Sequence, residues 1–121
     1  MHFPSLAELI VEKSGFSGNI GMILGSGLSS ISNELTNTVE IPYEDLDKFP
    51  VSTVKGHDGK IVAGHLDHTP LIIASGRFHY YEGYSFQEVV SLVKVFYELG
   101  IQKIIITNSS GALNRLFKPG E

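Results

Sequence analysis

Cysteine is absent from this 121-residue chain. Its absence excludes a disulfide framework and a thiolate metal site. A basic excess is missing too. The net charge is −4, so no positive field favours non-specific nucleic-acid binding. No apolar run reaches the ~20 residues of a membrane-spanning helix. The start, Met1-His2-Phe3-Pro4-Ser5, lacks the basic opening and apolar centre of a secretory leader. A cytoplasmic protein is therefore expected, with neither a membrane nor a nucleic acid as partner. Internal repeats and low-complexity segments are also lacking. Charged residues make up 18% and hydrophobic ones 42%, the balance of a globular domain. The length suffices for one modest domain and not for two. A complete α/β enzyme has roughly twice this length or more.

Several elements are legible. Ser5-Leu6-Ala7-Glu8 has the form of a capping box with Ser5 as N-cap. Leu6, Leu9, Ile10 and Lys13 continue that helix, and Gly15 ends it. Ile20 to Leu24 is a short apolar strand that runs into the turn Gly25-Ser26-Gly27-Leu28, which opens a short helix through Leu35. Residues 36–60 look turn-rich, with Pro42, Pro50, Gly56 and Gly59. Residues 61–66 and 70–74 form two strands around a turn at Asp67-His68. Ser85-Phe86-Gln87-Glu88 is a second capping box. Phe86, Val89, Val90, Val93, Phe96 and Tyr97 recur near helical spacing, so the face from Val89 to Leu99 is assigned to the core. Gly100 stands at the helix's C′ position. Ile101 to Thr107 is a β-branched strand of the kind buried on both faces. This order favours an α/β layer fold around a central sheet.

Three polar turns leave strand ends: 25–28, 76–84 and 108–111. Ligands of open α/β sheets bind at the carboxyl ends of strands, so the three are expected to meet at one site. The richest is Gly76-Arg77-Phe78-His79-Tyr80-Tyr81-Glu82-Gly83-Tyr84. Alternation puts Arg77, His79 and Tyr81 on one side if the backbone is extended. An arginine fork beside a histidine suits an oxyanion such as phosphate. Tyr81 is placed to cover the apolar face of a sugar or base. Glu82 either orients Arg77 or His79 or merely caps a turn.

The remaining signals keep two readings. Gly25-Ser26-Gly27 is either an anion cradle or a plain strand-to-helix turn. It is not a dinucleotide fingerprint, because Ser30 stands at the third glycine position, and no Gly-Lys-Ser/Thr makes it a Walker loop. Asn108-Ser109-Ser110-Gly111 either brings amides and hydroxyls to the same anion or is a polar turn. His57 in Gly56-His57-Asp58-Gly59 is either a donor to phosphate on a mobile lid or a solvated residue of a tight turn, and spacing alone favours the turn. His2, His65 and His68 have no ligand-like spacing and read as surface residues, so no metal site is expected.

Taken in order, Gly25-Ser26-Gly27-Leu28, Phe49-Pro50 through Gly59, Gly76-Arg77-Phe78-His79 with Tyr81-Glu82-Gly83-Tyr84, and Thr107-Asn108 with Gly111, Leu113 and Asn114 resemble the trimeric, low-molecular-mass purine nucleoside phosphorylases. The resemblance runs nearly the length of the chain. It implies an α/β fold with a central mixed sheet flanked by helices. It also implies conversion of purine nucleoside and phosphate to free purine and ribose 1-phosphate. Phosphate is then a co-substrate and no cofactor is needed.

Carried over by motif, Ser26, Arg77, His79 and His57 would bind phosphate, helped by the backbone amide of Ser109. Tyr81 would contact ribose. Glu82 would orient the phosphate network, with His79, Glu82 and His57 as the catalytic set. Ser109-Ser110 replaces an alanine pair usual in the family. Residues 1–121 are then expected to be the N-terminal part of a single phosphorylase domain, a homotrimer at full length. The family's base-recognising Glu and Asn lie beyond this stretch. The alternative is a catalytically inactive fragment or module that binds phosphate or a nucleotide.

Overall fold

A computed structural model of the chain describes residues 1–25, 27–51 and 59–120. Its centre is a five-stranded sheet: β1 (Ile20–Leu24), β2 (Thr36–Pro42), β3 (Lys60–Leu66), β4 (Thr69–Ser75) and β5 (Lys103–Ile106). The strand order is β2-β3-β4-β1-β5. β4, β1 and β5 run parallel, whereas β2–β3 and β3–β4 are antiparallel. The expected mixed sheet with helices is therefore present.

Alternation along the strands divides the core. Ile61 and Ala63 of β3 and Ile72 and Ala74 of β4 pack under α1 (Phe3–Ser14) and α3 (Ser91–Glu98), against Leu6, Ile10, Leu92, Val95 and Phe96. Their neighbours Val62, Leu71 and Ile73 form a second cluster with Leu24 and Leu35. Close approach is built into β1: a Cβ on Gly21 would lie 2.7 Å from the Phe96 ring.

Several expectations need correction. α1 starts at Phe3 and is capped by His2, not Ser5. The His2 ring accepts the Ser5 N–H at 3.3 Å, and the Ser5 hydroxyl bonds the same nitrogen. Pro4 in the first turn permits this early start, since its missing N–H has no helical partner to lose there. Gly15 does end the helix, at φ 68. The helix after the glycine turn is a 3₁₀ segment, Ser29–Glu34.

Within the stretch read as turns lies β2. Its β-branched Thr36, Thr38, Val39 and Ile41 carried the signal. It was obscured because only Ile41 is buried and Asn37, at φ 52, interrupts the register. The hairpin about Asp67-His68 forms as expected. His65 is not a surface residue but half-buried within β3.

The second capping box also forms, from Ser85 and Glu88. The helix behind it is interrupted, with α2 (Phe86–Val89) and α3 meeting at Val90. The buried face comprises Ser91, Leu92, Val95 and Phe96, while Phe86, Val93 and Tyr97 are exposed. The face assigned between Val89 and Leu99 is thus rotated: Leu92 and Val95 belong in the core with Phe96, in place of Val93 and Tyr97. Gly100, at φ 80, follows the C-cap Leu99 as expected. β5 was assigned to burial on both faces, yet all four of its residues are exposed. It is the outer strand, paired to β1 along one edge. No helix among the described residues is long and apolar enough to cross a membrane.

Candidate functional site

Because β4, β1 and β5 are adjacent and parallel, their carboxyl ends lie along one edge. The turns 76–84, 25–28 and 108–111 leave from those ends, so the sheet brings the three polar turns together. Hydrogen bonds tie two of them to Thr107 at the end of β5. Arg77 Nη1 donates to the Thr107 carbonyl at 2.9 Å. The Gly25 N–H donates to Thr107 Oγ1 at 2.8 Å. A Cβ on Gly25 would lie 2.7 Å from the Thr107 carbonyl oxygen, so the turn approaches β5 at a distance only glycine allows. Arg77 Nε is buried and has no hydrogen-bond partner among the described residues. Such a donor is costly to leave unmatched, and it suits an anion.

The turn 76–84 is not an extended ribbon throughout. Gly76 enters at φ 100, and Phe78 is buried. Phe78 sits among Tyr43, Phe49 and Tyr84 at ring-centroid distances of 5.5, 5.8 and 5.1 Å. Edge-to-face and tilted ring contacts of this kind anchor a loop strongly. Tyr43 donates its hydroxyl to the Gly76 carbonyl, and Tyr84 donates to the Val51 carbonyl at 2.7 Å. Burial pushes the Tyr43 phenol far above the usual tyrosine range, so it remains a donor.

His79 has an extended backbone, after which Tyr80–Glu82 form a 3₁₀ turn closed by Gly83. The alternation expected for Arg77, His79 and Tyr81 therefore stops at His79. Tyr81 instead stacks on the His79 ring, with centroids 4.9 Å apart and planes inclined by 22°. Glu82 Oε2 accepts from the His79 backbone N–H at 2.9 Å and from ring Nδ1 at 2.8 Å. Glu82 thus both caps the turn and orients His79. With Nδ1 engaged, Nε2 is the ring nitrogen left to meet a ligand.

Ser109 is exposed at the end of β5, and Ser110 Oγ donates to Asn108 Oδ1 at 2.6 Å. Ser26 and His57 lie outside the described residues. Among the described residues no group of three His, Asp or Glu is arranged to hold a metal ion. Two contributors escaped the sequence reading. Thr107 stood at the end of an apolar strand and in a motif of the resemblance, with no role of its own. Tyr43 lay in a segment read as turns, where nothing local marks a tyrosine as buried.

A profile of the phosphorylase superfamily matches residues 19–121. Purine nucleoside phosphorylase 1 of Geobacillus stearothermophilus is 46% identical over 115 residues, covering 95% of this chain. The Bacillus subtilis protein of the same name is 47% identical over the same length. The chain spans 42% of the length of each of these relatives. Among solved structures, a purine nucleoside phosphorylase in complex with ribose 1-phosphate superimposes with a TM-score of 0.89 at 34% identity. That match covers 98% of this chain and 44% of the other. Schistosoma mansoni purine nucleoside phosphorylase in complex with inosine gives a TM-score of 0.88 at 33% identity, covering 98% and 41% respectively. From the profile match, the sequence identities and the shared mixed sheet, this chain belongs to the phosphorylase superfamily.

Proposed function

We propose that this chain supplies the phosphate and ribose side of a purine nucleoside phosphorylase. The observation that carries the reading is the junction at Thr107, where the arginine of one turn and the glycine backbone of another meet on one sheet edge. The similarity to proteins named purine nucleoside phosphorylases, one of them in complex with ribose 1-phosphate, supports it.

In this reading Arg77, His79, Ser26, His57 and the Ser109 amide hold inorganic phosphate. Glu82 fixes the His79 ring, and Tyr81 lies along the ribose. A phosphate oxygen attacks the anomeric carbon as the bond to the purine nitrogen breaks. The bond pair goes to the purine, which takes up a proton. The bound phosphate dianion stabilises the oxocarbenium-like charge that develops on the sugar. Alignment of phosphate with the anomeric carbon lowers the barrier further. Recognition of the base falls to residues beyond this stretch. A homotrimer and a cytoplasmic location accompany the reading, and no cofactor is required.

The test is release of hypoxanthine from inosine. It is measured with and without inorganic phosphate, on the chain alone and on the chain co-expressed with the carboxy-terminal part of a relative. Phosphate-dependent release by the pair is expected. Substitution Arg77→Ala should lower kcat/KM for phosphate by about a hundredfold or more, the scale of losing an anion-stabilising donor. Phosphate binding with no turnover in either setting would favour a binding fragment instead.

A further inference from the structure

Thr107 receives the hydrogen bonds from Gly25 and Arg77 that tie their two turns to the end of β5. Its backbone N–H donates to the Ile23 carbonyl at 3.0 Å, which extends the β1–β5 pairing by one residue. Its hydroxyl accepts the Gly25 N–H at 2.8 Å and lies 3.4 Å from the Ile23 carbonyl, to which it donates. Its own carbonyl accepts from Arg77 at 2.9 Å. The hydroxyl therefore fixes the height of the glycine turn over β5, while the carbonyl a few bonds away fixes the guanidinium. Movement at Gly25 is transmitted to the Arg77 acceptor, because the two are already as close as a glycine permits.

We propose that Thr107 is a positioning residue for the anion site: its hydroxyl sets the spacing between the Gly25 amide and the Arg77 guanidinium. The proposal rests on the reading of that edge as a phosphate site. Thr107 itself touches no substrate in this scheme and acts through Arg77 and the Gly25 amide. Arg77 spends one Nη donor on the Thr107 carbonyl, and its buried Nε is left for a ligand. The direction in which that Nε faces then depends on where Thr107 stands. Loss of the hydroxyl leaves the Gly25 N–H without its acceptor, and the turn shifts to find another.

The experiment is calorimetric titration of the folded protein with inorganic phosphate. Wild type is compared with Thr107→Val, Thr107→Ser, Arg77→Ala and the double variant Thr107→Val with Arg77→Ala. Valine keeps the branched shape and removes the hydroxyl; serine keeps the hydroxyl. Thr107→Val is expected to weaken phosphate binding about tenfold, the scale of one hydrogen bond, and Thr107→Ser to restore most of it. The double variant should bind only slightly more weakly than Arg77→Ala alone, because without Arg77 the Gly25 amide is the one route left to Thr107. Gly25→Ala approaches the same junction from the other turn and should also weaken binding, so the idea does not hang on one variant folding. Wild-type affinity in Thr107→Val overturns the proposal. Equal weakening in Thr107→Val and Thr107→Ser does so too, since the hydroxyl is then not the cause. Absence of phosphate binding by wild type overturns the reading of the site, and the role of Thr107 with it. Loss of binding in Arg77→Ala alone leaves that reading standing and rejects only Thr107.

Discussion

Tyr43 holds the Arg77 turn from beneath. Its ring packs on Phe78, its hydroxyl donates to the Gly76 carbonyl, and its backbone N–H donates to the Gly59 carbonyl. Substitution Tyr43→Phe removes the hydroxyl alone and leaves the Gly76 carbonyl without this donor. It is expected to destabilise the fold by about 1 kcal/mol, read as a lower urea midpoint at unchanged slope. An unchanged midpoint would show that the bond contributes nothing. Glu82→Ala is a contrasting case. Both bonds that orient His79 disappear, yet the pair is partly exposed, so stability should shift by less than about 1 kcal/mol. Phosphate affinity, by contrast, should fall clearly. Equal affinity in wild type and Glu82→Ala would deny Glu82 any role in orienting the ring. At this scale Arg77, His79 and Glu82 were legible because unlike charges and rings crowd into nine residues after an apolar strand. Thr107 and Tyr43 were not, because their partners lie 82 and 33 residues away in sequence. Nothing in the local pattern of either residue encodes such a contact.

Among the elements, β3, β4 and the hairpin between them were readable from apolar runs bounded by turn residues. β2 was not, since an edge strand with one buried side chain has almost no apolar alternation to show. The rotated face of α3 has a different origin. A continuous helix from Phe86 would carry Val89, Val90, Val93, Phe96 and Tyr97 on one side. Within α3, however, Leu92, Val95 and Phe96 stand at i, i+3 and i+4, and this neighbouring stripe is the one that turns inward. Phe96 then lies against β1 at Gly21, where no side chain intervenes. Gly21→Ala would drive a methyl group into that ring. Overpacking of this kind costs about 1–3 kcal/mol, and the prediction is a matching drop in denaturation midpoint. Compensation by Phe96→Leu in the double variant would identify the ring as the cause. A Gly21→Ala variant as stable as wild type would mean that α3 moves away from the sheet at no cost.

At the scale of the whole molecule the sheet is unevenly protected. β3 and β4 are interior strands with both edges paired, whereas β5 pairs with β1 on one side only. Ile104, Ile105 and Ile106 are each between 41% and 52% exposed on this outer strand. Beyond it, Leu113, Leu116 and Phe117 are exposed as well. A β-branched run was the correct sign of a strand, and the same run suggested burial that the described residues do not provide. An outer strand of isoleucines with unpaired backbone groups is a template for further pairing. Purified alone, the chain should therefore self-associate with rising concentration, visible as a growing mean mass in sedimentation velocity. Ile105→Lys places a charge in the middle of that strand and should reduce the association several-fold, since lysine is a usual guard of open edges. The far-UV circular dichroism of Ile105→Lys should match wild type, because an exposed side chain contributes little to the core. Phosphate affinity should match too if the polar edge and the apolar strand act independently. A chain that stays monomeric at every concentration would remove the argument that β5 is an active pairing edge. Association that survives Ile105→Lys would move its origin to the exposed leucines and Phe117 that follow.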